Sequence, residues 1–329
     1  MTTLLLPHLR ANEPATFLAG IGVLSLVTVE LGDSTARLCW PEGPRGEASL
    51  DTVLFDELAG LSEGLRGIAR SMIDKNELLP EAGEGFPPRK EGKEPDPTRT
   101  ISRQEAASWA RLARQEGRAR AWLAGIVATN DVVNAKDGKG RGTMMGRNPV
   151  FDAGPGTVSM SGTLAKSRAA AAEDGALHDA LLSGARRRDS IGGYLDWRAD
   201  RDAADLASKR DPSNFGDSVV AWLAFMALRC APVVSANGVV GSALCPPRRV
   251  PPFRKPLVWP VWTTPIDLDA ITVLLAHPAI QPVPGRADPG SDTAALRALG
   301  VCALFASSRL AKGNNDGAYG PATELWART

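Results

Sequence analysis

The residues best suited to chemistry lie between Asn130 and Asn148. Lys136, Lys139, Arg141 and Arg147 are set there among Asn130, Asn134 and Asn148 on a glycine-rich backbone. Glycine lets a main chain come close to a phosphate backbone, lysine and arginine neutralise phosphates, and asparagine can pair with a base edge. Asp131 and Asp137 dilute the positive charge, and the same composition also fits a plain surface loop. Two smaller basic spots, Arg186-Arg187-Arg188 and Arg248-Arg249 with Arg254 and Lys255, would extend one positive track if the fold aligned them.

The acidic cluster Asp196, Asp200, Asp202 and Asp205 suggests different chemistry. Carboxylates at that spacing could hold a divalent ion for hydrolysis, so a metal-dependent hydrolase built on Asp196, Asp200 and Asp202 is the alternative reading. Arg198 and Arg201 thread the cluster, and mixed sign fits a solvated helix face better than a cation site. The three histidines, His8, His178 and His277, have no second histidine or cysteine at ligand spacing. His277, before Pro278 at a helix end, reads as a cation for the helix dipole. Cys39, Cys230, Cys245 and Cys302 form no close pair and read as reduced, packed thiols. Nucleophile-elbow, zinc-helix and phosphate-loop motifs are absent; Gly138-Lys139-Gly140-Arg141-Gly142-Thr143 lacks the four-residue gap before its lysine. The expectation is a binding protein with no catalytic residue, metal or cofactor.

Composition bounds the partners. The 329 residues are 43% hydrophobic and 23% charged, ordinary for a folded globular protein. Lys+Arg is 38 against 37 for Asp+Glu, a net charge of +1. A free-standing nucleic-acid binder carries a clear basic excess, so any polyanion contact must come from local patches or from charge supplied by partners. No Asn-x-Ser/Thr sequon occurs, and Leu4–Leu6 followed by Pro7, His8 and Arg10 has the wrong order for a signal peptide. The apolar stretch Phe17–Val29 is too short to cross a bilayer. A cytoplasmic protein without membrane contact is expected.

The elements that must position these residues read as follows. Asn12-Glu13-Pro14 opens a helix running to about Leu31, apolar all round, with Gly20 and Gly22 admitting a close neighbour. Arg37–Trp40 alternates as a strand. Asp51 caps a second helix to about Met72, with Leu54, Leu58, Leu61, Leu65, Ile68 and Met72 on its buried face. Residues 80–100 form an exposed insertion rich in glycine, proline and charge. Ser102-Arg103-Gln104-Glu105 has capping-box spacing ahead of a helix carrying Trp109, Leu112, Trp122, Leu123 and Ile126. One helix, or two short ones broken at Gly175, spans about Leu164 to Leu182. Asp217 or Ser218 caps Val219–Leu228, and Asn237-Gly238 between Val233-Val234 and Val239-Val240 is a two-residue hairpin. Trp259–Trp262 is an edge strand or an extended segment, because Pro260 cannot donate to a ladder. Asp267 opens a helix to about Ala276, and a helix closing at Gly300 leads into the strand Val301–Phe305. Trp109, Trp122, Trp222, Trp259 and Trp262 sit in apolar contexts and read as core or interface residues.

The whole is α+β: helix-rich with short antiparallel strands and hairpins, one or two packed domains with long polar insertions. An N-terminal part spans 1–129, a glycine-rich basic loop 130–156 and a C-terminal part 157–329.

The run Asn12-Glu13-Pro14-Ala15-Thr16-Phe17-Leu18-Ala19-Gly20-Ile21-Gly22-Val23-Leu24, followed by Arg37-Leu38-Cys39-Trp40, resembles the opening of the large-subunit proteins of type I CRISPR interference (Cascade) complexes, in the type I-G branch formerly called I-U. Val219–Val234, Trp259-Pro260-Val261-Trp262-Thr263-Thr264-Pro265 and Leu299–Arg309 are similar in the same order. The resemblance implies a non-catalytic subunit of a ribonucleoprotein complex. Its partners would be guide RNA, other subunits of the complex, double-stranded target DNA and a helicase-nuclease. It would recognise a short motif beside the target, while base pairing reads the target itself. The chain is short for a large subunit with a complete C-terminal helical bundle. A purely structural interaction subunit is the third reading.

Overall fold

The first ten residues form an edge strand of a three-stranded antiparallel sheet, with burial alternating from Thr3 to Leu6. The structure is a computed structural model; it describes residues 1–83, 86–87, 101–102, 107–111, 119–128, 144–145, 148–151, 159–182, 189–190, 195, 215–236, 239–245, 256–280, 292–312 and 315–328. Strand β1 (Thr2–Arg10) pairs with β3 (Glu47–Thr52), and β3 pairs with β2 (Arg37–Cys39), giving the order β1-β3-β2. Both pairings are antiparallel, with Leu4 opposite Leu50 and Leu38 opposite Leu50. A strand that enters between two others joined by a helix is the split β-α-β arrangement. Leu4, Leu6, Leu38, Ala48 and Leu50 point inward and are buried, while Thr3 and Leu5 face outward.

Helix α1 (Pro14–Ser25) crosses under this sheet with all twelve residues buried. Its last turn opens into a π-helical turn, Leu26–Glu30, and Gly32 at φ 83° reverses the chain. Helix α2 (Leu58–Asp74) follows β3 and buries Leu61, Leu65, Ala69 and Met72. Then come β4 (Ile101–Ser102), a helical stretch at 107–111, helix α3 (Ala119–Ile126) and β5 (Met144–Met145), which pairs with β4. Helices α4 (Met160–Ala171) and α5 (Ala176–Leu182) are separated by Gly175 at φ 72°, and α5 packs beside β1 and α2.

The C-terminal part returns to the first helix. Strands β6 (Asp189–Ser190) and β7 (Phe215–Gly216) pair, and α6 (Ser218–Met226) then runs along α1, continuing as a 3-10 turn over Ala227–Cys230. Strands β8 (Val233–Ala236) and β9 (Val239–Ser242) form a hairpin, with Ala236 opposite Val239. Strand β10 (Leu257–Trp262) is the edge of a second sheet, ordered β10-β11-β14, with β11 at Val301–Ser307 and β14 at Thr323–Ala327. Between β10 and β11 lie α7 (Leu268–Leu275) and α8 (Thr293–Ala298). The hairpin of β12 (Arg309–Lys312) and β13 (Asn315–Tyr319) precedes β14.

One hydrophobic cluster joins both parts of the chain. At its centre Phe17 stacks on Trp40 at 5.1 Å between ring centroids, and Trp262 meets Trp40 edge-on at 4.9 Å. The indole N–H groups around Phe17 find carbonyls: Trp40 donates to Leu9 O, Trp259 to Ala11 O and Trp262 to Leu38 O. Backbone bonds between Leu38 and Ile266 tie the first sheet to the end of the second.

Several expectations are corrected here. Glu13, in extended conformation, is the N-cap of α1, and neither it nor Asn12 supplies a side-chain cap; Thr16 Oγ1 bonds back to Arg10 O at 2.8 Å instead. Asp51 is a strand residue accepting from Thr3 Oγ1 at 2.6 Å, and Glu57 precedes α2. Leu54 therefore falls outside the helix, 44% exposed. The start of the 80–100 insertion is packed: Pro80, Ala82 and Phe86 are buried, Phe86 lies edge-on to Trp109, and Pro80 O accepts from Trp122 Nε1 at 2.8 Å. Ser102 pairs in β4, and the rest of its capping box lies outside the described residues. His277 Nδ1 accepts from Ala279 N at 3.1 Å, so the ring bonds the turn that follows α7.

Candidate functional site

The backbone geometry that frames the glycine-rich segment begins in α3. Gly125 brings this helix against the 3-10 turn at Ala227–Cys230 so closely that a Cβ would lie 2.3 Å from Leu228 O. After Ala128 the chain enters the segment, and Asn148 N donates to Ile126 O at 2.8 Å where it ends. The two feet of a stretch of about twenty residues therefore meet at one buried point.

Asn148 itself is fully buried, which corrects its reading as a base-reading residue. Its Nδ2 donates to Gly125 O at 2.7 Å and to Ala231 O at 3.5 Å, and its Oδ1 accepts from Val150 N at 3.0 Å. Every useful face of the amide is spent on the protein's own backbone. Such satisfaction is what keeps a buried amide from being costly.

Arg309 holds the same joint from the other side. It is 3% exposed, and its Nη2 donates to Pro149 O and to Val150 O, each at 2.7 Å. The guanidinium lies 4.2 Å over the ring of Tyr319, where the β12–β13 hairpin places it. Tyr319 Oη is 3.2 Å from Cys245 Sγ. Burial pushes the Tyr319 phenol well above its usual value, against the pull of the Arg309 charge, so the phenol stays neutral. Cys245 is the last described residue before 246–255, and the residues flanking that stretch are bonded to each other, Val258 N donating to Leu244 O at 2.8 Å. A chain of contacts from Val150 through Arg309 and Tyr319 to Cys245 thus sets the feet of two basic segments side by side.

A second buried arginine braces this region. Arg229 Nη1 and Nη2 donate to Glu30 Oε1 at 3.2 Å, and its guanidinium lies 4.2 Å from the centre of the Trp122 ring. Arg168, 8% exposed, donates to Met72 O and Glu77 O. In Arg168 and Arg309 alike, one terminal nitrogen with its two N–H groups serves two carbonyls at once.

Asn130, Asn134, Lys136, Lys139, Arg141 and Arg147 lie outside the described residues, as do Arg186, Arg187, Arg188, Arg248, Arg249, Arg254 and Lys255. Asp196, Asp200, Asp202 and Asp205 lie outside them too. What the structure brings together is the anchoring of two basic segments, 130–147 and 246–255, and not the cations themselves. Sequence reasoning missed Arg309, Tyr319 and Cys245 as an anchoring set.

The described residues offer little reactive chemistry. No group of three or more His, Cys, Asp or Glu among them could hold a metal ion. Burial, with the Asp51 charge added, pushes the Cys39 thiol up to about 11, and burial pushes Cys230 up to about 11. Both are therefore inert thiols at neutral pH. No helix among the described residues is long and apolar enough to cross a membrane. No protein-family model matches the chain, and no curated protein matches it.

Proposed function

We propose that this chain is a non-catalytic, nucleic-acid-binding subunit of a type I CRISPR interference complex, working in the cytoplasm. In this reading it recognises the short duplex motif beside the target, aids strand opening and recruits a helicase-nuclease. The supporting observation is the joint at Asn148, Arg309, Tyr319 and Cys245, which places the feet of two basic segments next to each other. Two basic segments whose flanking residues are linked through one set of buried contacts suit contact with one stretch of phosphate backbone. The resemblance of residues 12–40, 219–234, 259–265 and 299–309 to large subunits of the type I-G branch supplies the rest of the reading. A net charge of +1 is compatible with it where partner subunits and RNA-bound neighbours carry much of the field.

Within the segment, Lys139, Arg141 and Arg147 serve phosphates, while Asn130 and Asn134 are the amides that meet base edges. The test is made in the assembled complex purified from its host, where guide-length RNA and repeated backbone subunits should co-elute at moderate salt. Lys139→Ala, Arg141→Ala and Arg147→Ala together should weaken motif-bearing and unrelated duplex alike. They should also reduce the salt slope of binding by roughly one for each phosphate that is no longer neutralised. An RNA-free monomer, or a triple variant that binds as tightly as the parent, sinks this reading.

A further inference from the structure

We infer that the groove between α2 and the π-helical turn after α1 docks a basic, amphipathic segment of a partner protein, with an arginine or lysine stem lying along its floor. The inference is independent of the nucleic-acid reading. The groove holds about 310 Å³, the size of a small-ligand site. One wall is the π-helical turn Leu26–Glu30 with Leu31, whose N–H reaches back five residues to Leu26 O at 3.1 Å. Such turns are rare and gather at functional sites. The other wall is the turn after α2, from Glu77 to Glu81. Asn76 and Glu81 take left-handed backbone there, φ 55° and 52°, a conformation that clusters at ligand clamps when the residue is not glycine.

The floor is one stripe of α2, where Gly64, Gly67, Ile68 and Ser71 lie three or four residues apart. Gly64 is explained from within, because a Cβ there would lie 2.8 Å from Phe55 Cζ. Gly67 is not: a Cβ there would meet nothing within 4 Å, and glycine is the poorest helix former after proline. A bare patch of helix on the floor of a groove lets another chain come close. Leu31 and Ile68 are half-buried beside it, and Met72 and Pro80, both buried, also line the groove. The rim decides the occupant. Glu30, Glu77 and Glu81 set three carboxylates against the single ammonium of Lys75. Arg229 answers Glu30, and Glu81 N donates to Glu77 Oε2 at 3.2 Å, which holds the Glu77 carboxylate against the Glu81 backbone. An apolar floor under an acidic rim matches a side chain that is apolar along its stem and cationic at its tip, as arginine and lysine are. An anionic or wholly apolar segment would cover the Glu77 carboxylate without a counter-charge.

The experiment follows the amide chemical shifts of the isotope-labelled full chain during titration with three probes. These are a blocked pentapeptide of leucine and alanine around one arginine, the same peptide with glutamate at its centre, and spermidine. Saturable shifts at Gly64, Gly67 and Ser71 are expected with the arginine peptide, and binding about tenfold weaker or worse with the other two. Glu77→Gln should weaken the arginine peptide by about threefold, the size of an exposed ion pair. Gly67→Leu projects a side chain into the groove and should weaken it by about tenfold or more, while melting no lower than the parent. If Gly67→Leu does melt lower, Gly67→Ala takes its place, with a loss of about threefold expected. Equal affinity for the two peptides overturns the inference, as does equal binding of spermidine, which would mean attraction to charge alone. So does the lack of saturable shifts, or parent-like binding in a folded Gly67→Leu or Gly67→Ala. Shifts at the same amides on concentrating the protein alone would make the occupant a second copy of this chain, and would overturn it too.

Discussion

Two joints in this molecule use the same device with opposite chemistry. At Gly22 the first helix meets Leu223 O, and at Gly125 the third meets Leu228 O; in each case the missing side chain lets helix approach backbone. Around Gly22 the walls are apolar, with Met226 Cβ 3.3 Å from where a Cβ would lie; the cluster of Phe17, Trp40, Trp259 and Trp262 packs at the Gly20 side of the same helix, its three indoles spending their N–H groups on carbonyls. Around Gly125 the walls are polar, with Asn148 bonding Gly125 O and Arg309 bonding the carbonyls of Pro149 and Val150. An apolar joint is set by volume alone. A polar joint is set by direction, and so it can fix where a chain segment begins and ends.

The sharpest way to break the comparison is at the apolar joint. In Gly22→Ala the added Cβ would lie 1.8 Å from Leu223 O, so α1 and α6 would have to separate along their length. Destabilisation of about 3 kcal/mol is expected in chemical denaturation. Gly67→Ala is the control, since a Cβ there meets nothing within 4 Å. Equal stability of Gly22→Ala and the parent would show that the two helices do not touch as described.

At the polar joint the expected effect is smaller and has a different character. Asn148→Ala leaves Gly125 O without its closest side-chain donor and Val150 N without its acceptor, both in a buried setting. The cost should be about 2 kcal/mol in the same assay, the penalty of stranding buried polar groups. Unlike Gly22→Ala, it should also speed proteolysis near residues 148–151, because the joint holds the end of a segment and not the middle of a helix pair. A loss of stability without any local change in cleavage would make the two joints alike.

The contrast also explains what can be read from sequence. Apolar periodicity and cap chemistry report on local structure, and they locate α1, the helix start at Asp217 or Ser218, where Asp217 proves to be the cap, the hairpin of β8 and β9, and the cap at Asp267; of the two options at Gly175, a single helix or a break, the structure has the break. Each of those is decided within a few residues of chain. Asp51 reads as a cap, wrongly, because a polar residue before an apolar run looks the same in a strand that pairs across the sheet with Arg37. Asn148 reads as a base reader for the converse reason: its partners are Gly125, 23 residues away, and Ala231, 83 residues away. No local pattern distinguishes an asparagine that faces a ligand from one that faces a distant carbonyl. Arg309, 160 residues from Pro149, is invisible as an anchor for the same reason.

The smallest expected effect tests a polar stitch set inside the apolar half, at Asp33. This carboxylate is 3% exposed and accepts from Thr35 N and Oγ1 on one oxygen and from Thr52 Oγ1 and Val53 N on the other. Burial alone would raise its pKa, but the hydrogen bonds from Thr35, Thr52 and Val53 outweigh it and hold the group below its ordinary value. A carboxyl whose folded pKa is depressed contributes stability that is fully present above its unfolded pKa, about 3.9, and is lost as pH falls through the folded value. Asp33→Asn removes that contribution and turns an amide N–H₂ toward donors, so it should cost about 1–2 kcal/mol near neutral pH. The gap to the parent should then narrow as pH drops below about 4, because the parent loses the same charge by protonation. A gap that stays constant down to a pH of about 3 would mean that Asp33 is held by shape and not by its charge. In that case the directional bonds of the apolar half would be those of the Trp40, Trp259 and Trp262 indoles, with no charged group among them.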